Sequence, residues 1–204
     1  MAYGDFDLGK VKRDFGLILQ EDRNLFAGVR GVEASELLQM ILPENLPLAI
    51  AINSEKAKSE FLIAPILGEV RRQLDFKVSL FSGKDFTVDI SRGLNGFCDF
   101  ILSASIEQYF IDAPVLTIIE AKNDNIIAGL GQCIAAMVAA QIFNQQQGNG
   151  IDKIYGAVTN GTIWKFLTLE EKTVCIDLIE YYIKEINQIL AILMQPFKPV
   201  LTAV

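Results

Sequence analysis

The stretch TIIEAKND, residues 117–124, places Glu120 and Lys122 two residues apart at the end of an apolar run. Side chains of a β-strand alternate between faces, so both charges are expected to point the same way as Leu116 and Ile118, into a core. Buried charge is costly unless it is paired, hydrogen-bonded or metal-bound, and this placement therefore needs a cause.

The neighbouring segments supply candidates. FCDFILS, residues 97–103, reads as a strand in which Asp99 shares a face with Phe97 and Ile101. Paired as a hairpin with PVLTIIEAK, residues 114–122, it brings Asp99 and Glu120 together, with Lys122 one pleat further on. Upstream, SEKAKSEFLIAPILGEVRRQLD, residues 54–75, predicts a helix capped by Ser54, with Glu60, Ile63, Leu67, Val70 and Leu74 on one stripe. Glu60 thus falls on an apolar face, and Pro65 is expected to kink this helix or mark its first turn. KVSLFSG and DFTVDI read as two short strands around a Ser82-Gly83 turn. Downstream, NDNIIAGLGQCIAAMVAAQIFNQQQ, residues 123–147, predicts a long helix capped by Asp124 or Asn125, with Gln132, Ala136, Ala139 and Phe143 aligned. KIYGAVTNGTIWKFLTLE, residues 153–170, is two alternating runs around Asn160-Gly161, the signature of a type I′ hairpin. TVCIDL adds a strand, and Ile179 to about Met194 a final amphipathic helix. In the first fifty residues FGLILQ reads as a strand, VEASELLQMIL as a short helix and ENLPLAIAIN as an extended segment broken by Pro47.

Composition narrows the chemistry. The chain of 204 residues is 51% hydrophobic and 21% charged, enough for one substantial core. There is no histidine, which removes Ser-His-Asp and Cys-His catalysis, His-ligated zinc and His proton shuttles. Cys98, Cys133 and Cys175 are scattered and form neither a disulfide framework nor a metal knuckle. Net charge is -7, against a broadly basic nucleic-acid-coating surface. Residues 98–150 carry five acids and one Lys/Arg, Lys122, a balance that suits a divalent cation as well as ordinary surface. The apolar run 133–143 is too short to span a bilayer, and the N-terminus has early acids and no apolar core of a signal, so no membrane association and a cytoplasmic location are expected. Two carboxylates with water and a phosphate oxygen form the ligand set that Mg²⁺ prefers, and an adjacent lysine can orient an attacking water and neutralise developing charge.

An acid on a helix, Asp on a strand, Glu-x-Lys on the next strand and a glutamine on the following helix together resemble the PD-(D/E)xK nuclease superfamily, the restriction-endonuclease-like fold. The matching residues are Glu60, Asp99, Glu120, Lys122 and Gln132, and the hairpin YGAVTNGTIWKFL is similar to that of type I restriction R-subunit nuclease domains. The resemblance implies an α/β fold bordering on α+β, with a central mixed sheet flanked by helices. It covers roughly residues 54–170, so residues 1–53 read as an extension packed on a nuclease-like domain of residues 54–204. By the same implication Asp99, Glu120 and the main-chain carbonyl of Ala121 hold Mg²⁺ or Mn²⁺, Lys122 positions water, Glu60 supports the site, and the substrate is DNA, cut by a homodimer. Cys98 stands where the family name has proline, which supplies no ligand. Glu60 also reads as a helix-start acid favoured by the dipole, and Gln132 as a packing and hydrogen-bonding residue. A nuclease fold kept as a silent binding module, and an unrelated α/β domain with a structural Glu120–Lys122 ion pair, remain open.

Overall fold

The computed structural model describes residues 2–202 and has an α/β fold: one seven-stranded mixed sheet with helices on both faces. Strands β1 (Ile18–Gln20), β2 (Ser79–Asp85), β3 (Phe97–Ser103), β4 (Val115–Ala121), β5 (Lys153–Thr159), β6 (Ile163–Glu170) and β7 (Thr173–Tyr182) lie in the order β1-β7-β6-β5-β4-β3-β2. β2, β3 and β4 form an antiparallel meander, and β5, β6 and β7 form another. The two halves join through the parallel pair β4–β5, whose crossover is helix α5 (Leu130–Gln146), counting α1 (Leu8–Phe15), α2 (Glu36–Ile52), α3 (Glu55–Lys58) and α4 (Ala64–Gln73) before it. A parallel pair requires such a crossover, and strands covered on both faces read as unbroken apolar runs, which is why VLTII shows no alternation. One core layer packs α1 and α5 on the sheet through Val11, Phe15, Ile134 and Met137. The other packs α2, α4 and α6 (Ile186–Met194) through Leu38, Ile66, Leu67, Leu190 and Leu193. Burial inside this sandwich accounts for the long apolar helix over residues 126–146.

The first fifty residues are woven into this body, since β1 pairs in parallel with β7 and α1 lies on α5. The segment expected as a short helix and an extended stretch is instead one 17-residue helix, α2, running through Pro43 and Pro47. Ser35 caps it by accepting from the Leu38 N–H, and the wholly buried Glu69 of α4 receives the Ser35 N–H and hydroxyl, so the helix is fixed by tertiary contacts that propensity does not register.

Local departures from ideal periodicity decide where side chains point. β4 carries an extra residue, Leu116, where the register shifts from Leu102↔Thr117 to Ser103↔Val115. Leu116 consequently packs with Ile119 and Ala121 on the α4 side, and only Ile118 of the expected pair shares the α5-side layer. β2 runs straight through Ser82-Gly83, with Gly83 at φ 58°, and DFTVDI forms no second strand but leads into a 3-10 turn, Ile90–Arg92. The Asn160-Gly161 hairpin is present between β5 and β6, but its connection is three residues with positive φ only at Gly161; the Asn160 carboxamide oxygen accepts from the Thr162 N–H, Thr162 hydroxyl and Ile163 N–H, replacing a type I′ turn. Residues Ile179 to Tyr182, expected in the last helix, complete β7.

Pro65 stands in the first turn of α4, one of the two outcomes expected for it, and the helix that starts at Glu55 continues into α4. A single π turn, Ser59–Ile63, joins α3 to α4. Proline lacks the N–H that would bond the Phe61 carbonyl, and that carbonyl accepts from the Asn45 side chain of α2 at 2.9 Å instead. The π turn widens the inward spacing from four residues to five, so Leu62 stacks over Ala57 and Ile63 over Lys58. Glu60, expected on the stripe by regular α spacing, is turned outward: its side chain is 55% exposed and pairs with Lys56 at 3.1 Å.

α1 approaches α5 at Gly131, where a Cβ would lie 2.4 Å from the Phe6 carbonyl oxygen. Gly131→Ala is expected to force these elements apart and cost about 1–3 kcal/mol, an overpacking penalty. At this chain length that lowers Tm by roughly 3–10 °C; a melting curve within 1 °C of wild type would show that the approach is not tight.

Candidate functional site

The polar cluster sits where β3 and β4 part. Their paired ladder ends at Phe100↔Ile119, and one step beyond it the Ala121 N–H donates to the Asp99 carboxylate at 2.7 Å. Continued by one pair, the same register sets Asp99 across from Glu120. Glu120 is 3% exposed and forms an ion pair with the Lys122 ammonium, which also donates to the Gln132 carboxamide oxygen on α5 at 3.3 Å. Thus four of the five sequence-derived side chains, Asp99, Glu120, Lys122 and Gln132, form one connected cluster. Glu60 stands outside it, on the rim of a cleft of about 240 Å³ that Asp99, Glu55, Ser59 and Ser82 also line.

Backbone geometry supports each member. The Lys122 N–H continues the sheet by bonding the Thr159 carbonyl of β5, which fixes the direction in which the lysine leaves the strand. A Cβ on Gly129 would meet Val158 Cγ1 of β5 at 2.7 Å and Lys122 Cγ and Cε at 3.0 and 3.1 Å, so glycine lets the turn before α5 close onto β5 and the lysine's methylenes. Asn125 accepts from the Ile127 and Ala128 N–H groups and starts the turn leading into α5, carrying Gln132 to the lysine. Gly129 was not singled out from sequence, because its role is set by neighbours in space, Val158 and Lys122, that are not its neighbours in the chain.

Charge in the cluster is unbalanced: two carboxylates face one ammonium. Burial chiefly, and then the Asp99 charge, push the Glu120 carboxyl up to about 8, against the pull of Lys122. Burial likewise raises Asp99, while the Ala121 N–H and Lys122 oppose it. For Lys122 burial works against the ammonium, but Glu120 outweighs it and the pKa rises. Asp99 and Lys122 thus pull in opposite senses on Glu120, and the upward direction prevails chiefly because the carboxyl is buried, with the second carboxylate adding to it. Glu55 adds to the negative charge felt by both Glu120 and Lys122. Glu55, exposed at the start of α3, lines the same cleft as Glu60 and Asp99 and makes the smallest of these contributions. The cysteines are all free, and burial pushes the thiols of Cys98 and Cys133 up, away from nucleophilic use.

Among the described residues no three Asp, Glu or Cys side chains converge on one point. Asp99 accepts from the Ala121 N–H and Glu120 pairs with Lys122, and the two carboxyl groups also share a hydrogen bond with each other. Two carboxylate oxygens with the balance from main chain, water and substrate suit Mg²⁺, which keeps several waters. No protein-family model matches the chain, and no curated protein matches it as a relative.

Glu120 gives a stability signature. Its folded pKa of about 8 exceeds the ordinary 4.5, so between these values the native state holds a proton that the unfolded chain releases, and stability falls as pH rises through that window. The upward shift of Lys122 acts only above its ordinary 10.5 and leaves the window untouched. Without divalent metal, the difference in Tm between Glu120→Gln and wild type is expected to grow by about 3 °C or more from pH 5 to pH 8.5. Parallel pH profiles would place the Glu120 pKa near its ordinary value.

Proposed function

We propose that the chain is a metal-dependent phosphodiester hydrolase acting on DNA, of the restriction, defence or repair type, with the PD-(D/E)xK pattern carried by Asp99, Glu120 and Lys122. The observation that carries this reading is the buried Glu120–Lys122 pair at the open end of β4, with Asp99 held beside it by the Ala121 N–H. A strand end otherwise sealed in core has no packing reason to carry two carboxylates and a lysine, and the surplus negative charge suits a cation.

When bound, Mg²⁺ or Mn²⁺ supplies positive charge at the scissile phosphate. Asp99 and Glu120 would hold it through their carboxylates, with the Ala121 carbonyl as the third protein donor. Lys122 orients the attacking water and neutralises charge as it develops on the phosphate oxygens. Gln132 keeps the lysine in that rotamer, and Gly129 leaves it room. Because no histidine is present, proton transfer falls to water and carboxylate. A cytoplasmic location and a homodimer presenting two such sites to a duplex belong to the same proposal. The outward position of Glu60 and the lack of a third converging side chain favour one alternative, a nuclease fold that binds DNA or protein without cutting.

The deciding experiment is Mg²⁺- or Mn²⁺-dependent cleavage of plasmid and oligonucleotide DNA. Lys122→Ala and Glu120→Ala are expected to lower the rate at least about 100-fold, the scale of losing a charge-stabilising group. Calorimetric binding of Mn²⁺ should disappear in Asp99→Ala and tighten as pH rises towards 8, where Glu120 gives up its proton. Cleavage that survives both substitutions would refute the assignment, and metal binding without cleavage would favour the silent module.

A further inference from the structure

Lys58 is a buried cation that the proposed chemistry does not use. Its side chain is 6% exposed, in the first turns of the helix that flanks the cluster. Lysine is rarely buried unless its ammonium is fully engaged. Here the ammonium donates to the Asn123 carbonyl at 2.6 Å, to the Asn123 carboxamide oxygen at 3.0 Å and to the Asp124 carboxylate at 3.4 Å. All three acceptors belong to the two residues that follow Lys122. The Ser59–Ile63 π turn is what turns position 58 inward, five residues before Ile63, while Lys56 and Glu60 pair at the surface.

The segment held in this way has little else to fix it. β4 ends at Ala121, the 3-10 turn starts at Ile126, and between them Lys122 has one main-chain bond to Thr159. Without an anchor, the strand end would swing about that bond and take Lys122 from Glu120 and Gln132. We infer that Lys58 is a positioning residue: it clamps Asn123 and Asp124 so that the Lys122 ammonium stays on the Glu120 carboxylate. The inference rests on the proposed role of Lys122 for its consequence in catalysis, but the clamp is measurable without any substrate.

The test is the rate of acetylation of Lys122 by acetic anhydride at trace level, read by mass spectrometry with exposed Lys84 as internal reference. In Lys58→Met, Lys122 should react at least about three-fold faster than in wild type, and the amides of Lys122, Ile127 and Ala128 should lose hydrogen-exchange protection. Lys58→Arg, which keeps a long cationic donor, should restore most of the protection. Leu190→Ala, in the distant α6, serves as a comparably destabilised control and should leave Lys122 reactivity unchanged. Asn123→Ala, on the exposed side of the contact, removes one acceptor without emptying the core, and should give a smaller rise in the same direction even if Lys58→Met fails to fold. If the nuclease reading holds, kcat falls about ten-fold in Lys58→Met while KM stays within two-fold. Unchanged Lys122 reactivity in Lys58→Met or Asn123→Ala overturns the clamp whatever the activity. Increased reactivity in a protein that cleaves no DNA supports the clamp and removes the catalytic role.

Discussion

Everything at the candidate site follows from β4 being sealed on both faces. Its residues from Val115 to Ala121 are all buried, so each polar group at its far end has to find a protein partner. Glu120 takes Lys122, Lys122 takes Gln132, the Ala121 N–H takes Asp99, and the two residues beyond take Lys58. Every partner comes from a different element, and so the strand end gathers β3, α3 and α5 around one point. The polar network and the tertiary arrangement are thus the same object. Its second carboxylate, Asp99, is the group a purely structural pairing of Glu120 with Lys122 has no need of, and its charge adds to burial in pushing Glu120 up to about 8.

What the sequence revealed depended on how local each determinant is. The pattern Glu-x-Lys on an apolar strand needs only alternation, and Asp99 needs only one antiparallel pairing, so both were legible. Gln132 came from the family resemblance, with helical spacing supplying only its place on the α5 stripe. Glu60 was placed on the apolar face by regular α spacing, whereas the π turn leaves it outward, and the inward Lys58 was missed for the same reason. Leu116 failed because a single bulge in β4 exchanged its face. The long helix α2 was hidden behind Pro43 and Pro47, and only its capping by Ser35 and Glu69 and its packing under α4 explain it. At Asn160-Gly161 the dipeptide correctly located the hairpin, yet the asparagine side chain chose a different turn.

Two of these departures lie on elements that also supply the cluster. The bulge at Leu116 sits on the strand that ends in Glu120, and the π turn lies on the helix that supplies Lys58 and Glu55. Regular periodicity describes the parts of the chain that only pack, whereas the irregular residues aim polar groups at the open end of the sheet.

The π turn also separates two phases within one rod. After Ile63 the azimuth of the helix is dictated by Ile66, Leu67 and Val70 against the sheet; before it, by Lys58 reaching the Asn123 carbonyl. Asn45, by accepting the duty of the donor that Pro65 lacks, lets both phases coexist without a break. The fold can therefore drift in its hydrophobic packing on one side of the turn without rotating the charged groups on the other, a mechanical decoupling of core from chemistry within a single continuous helix.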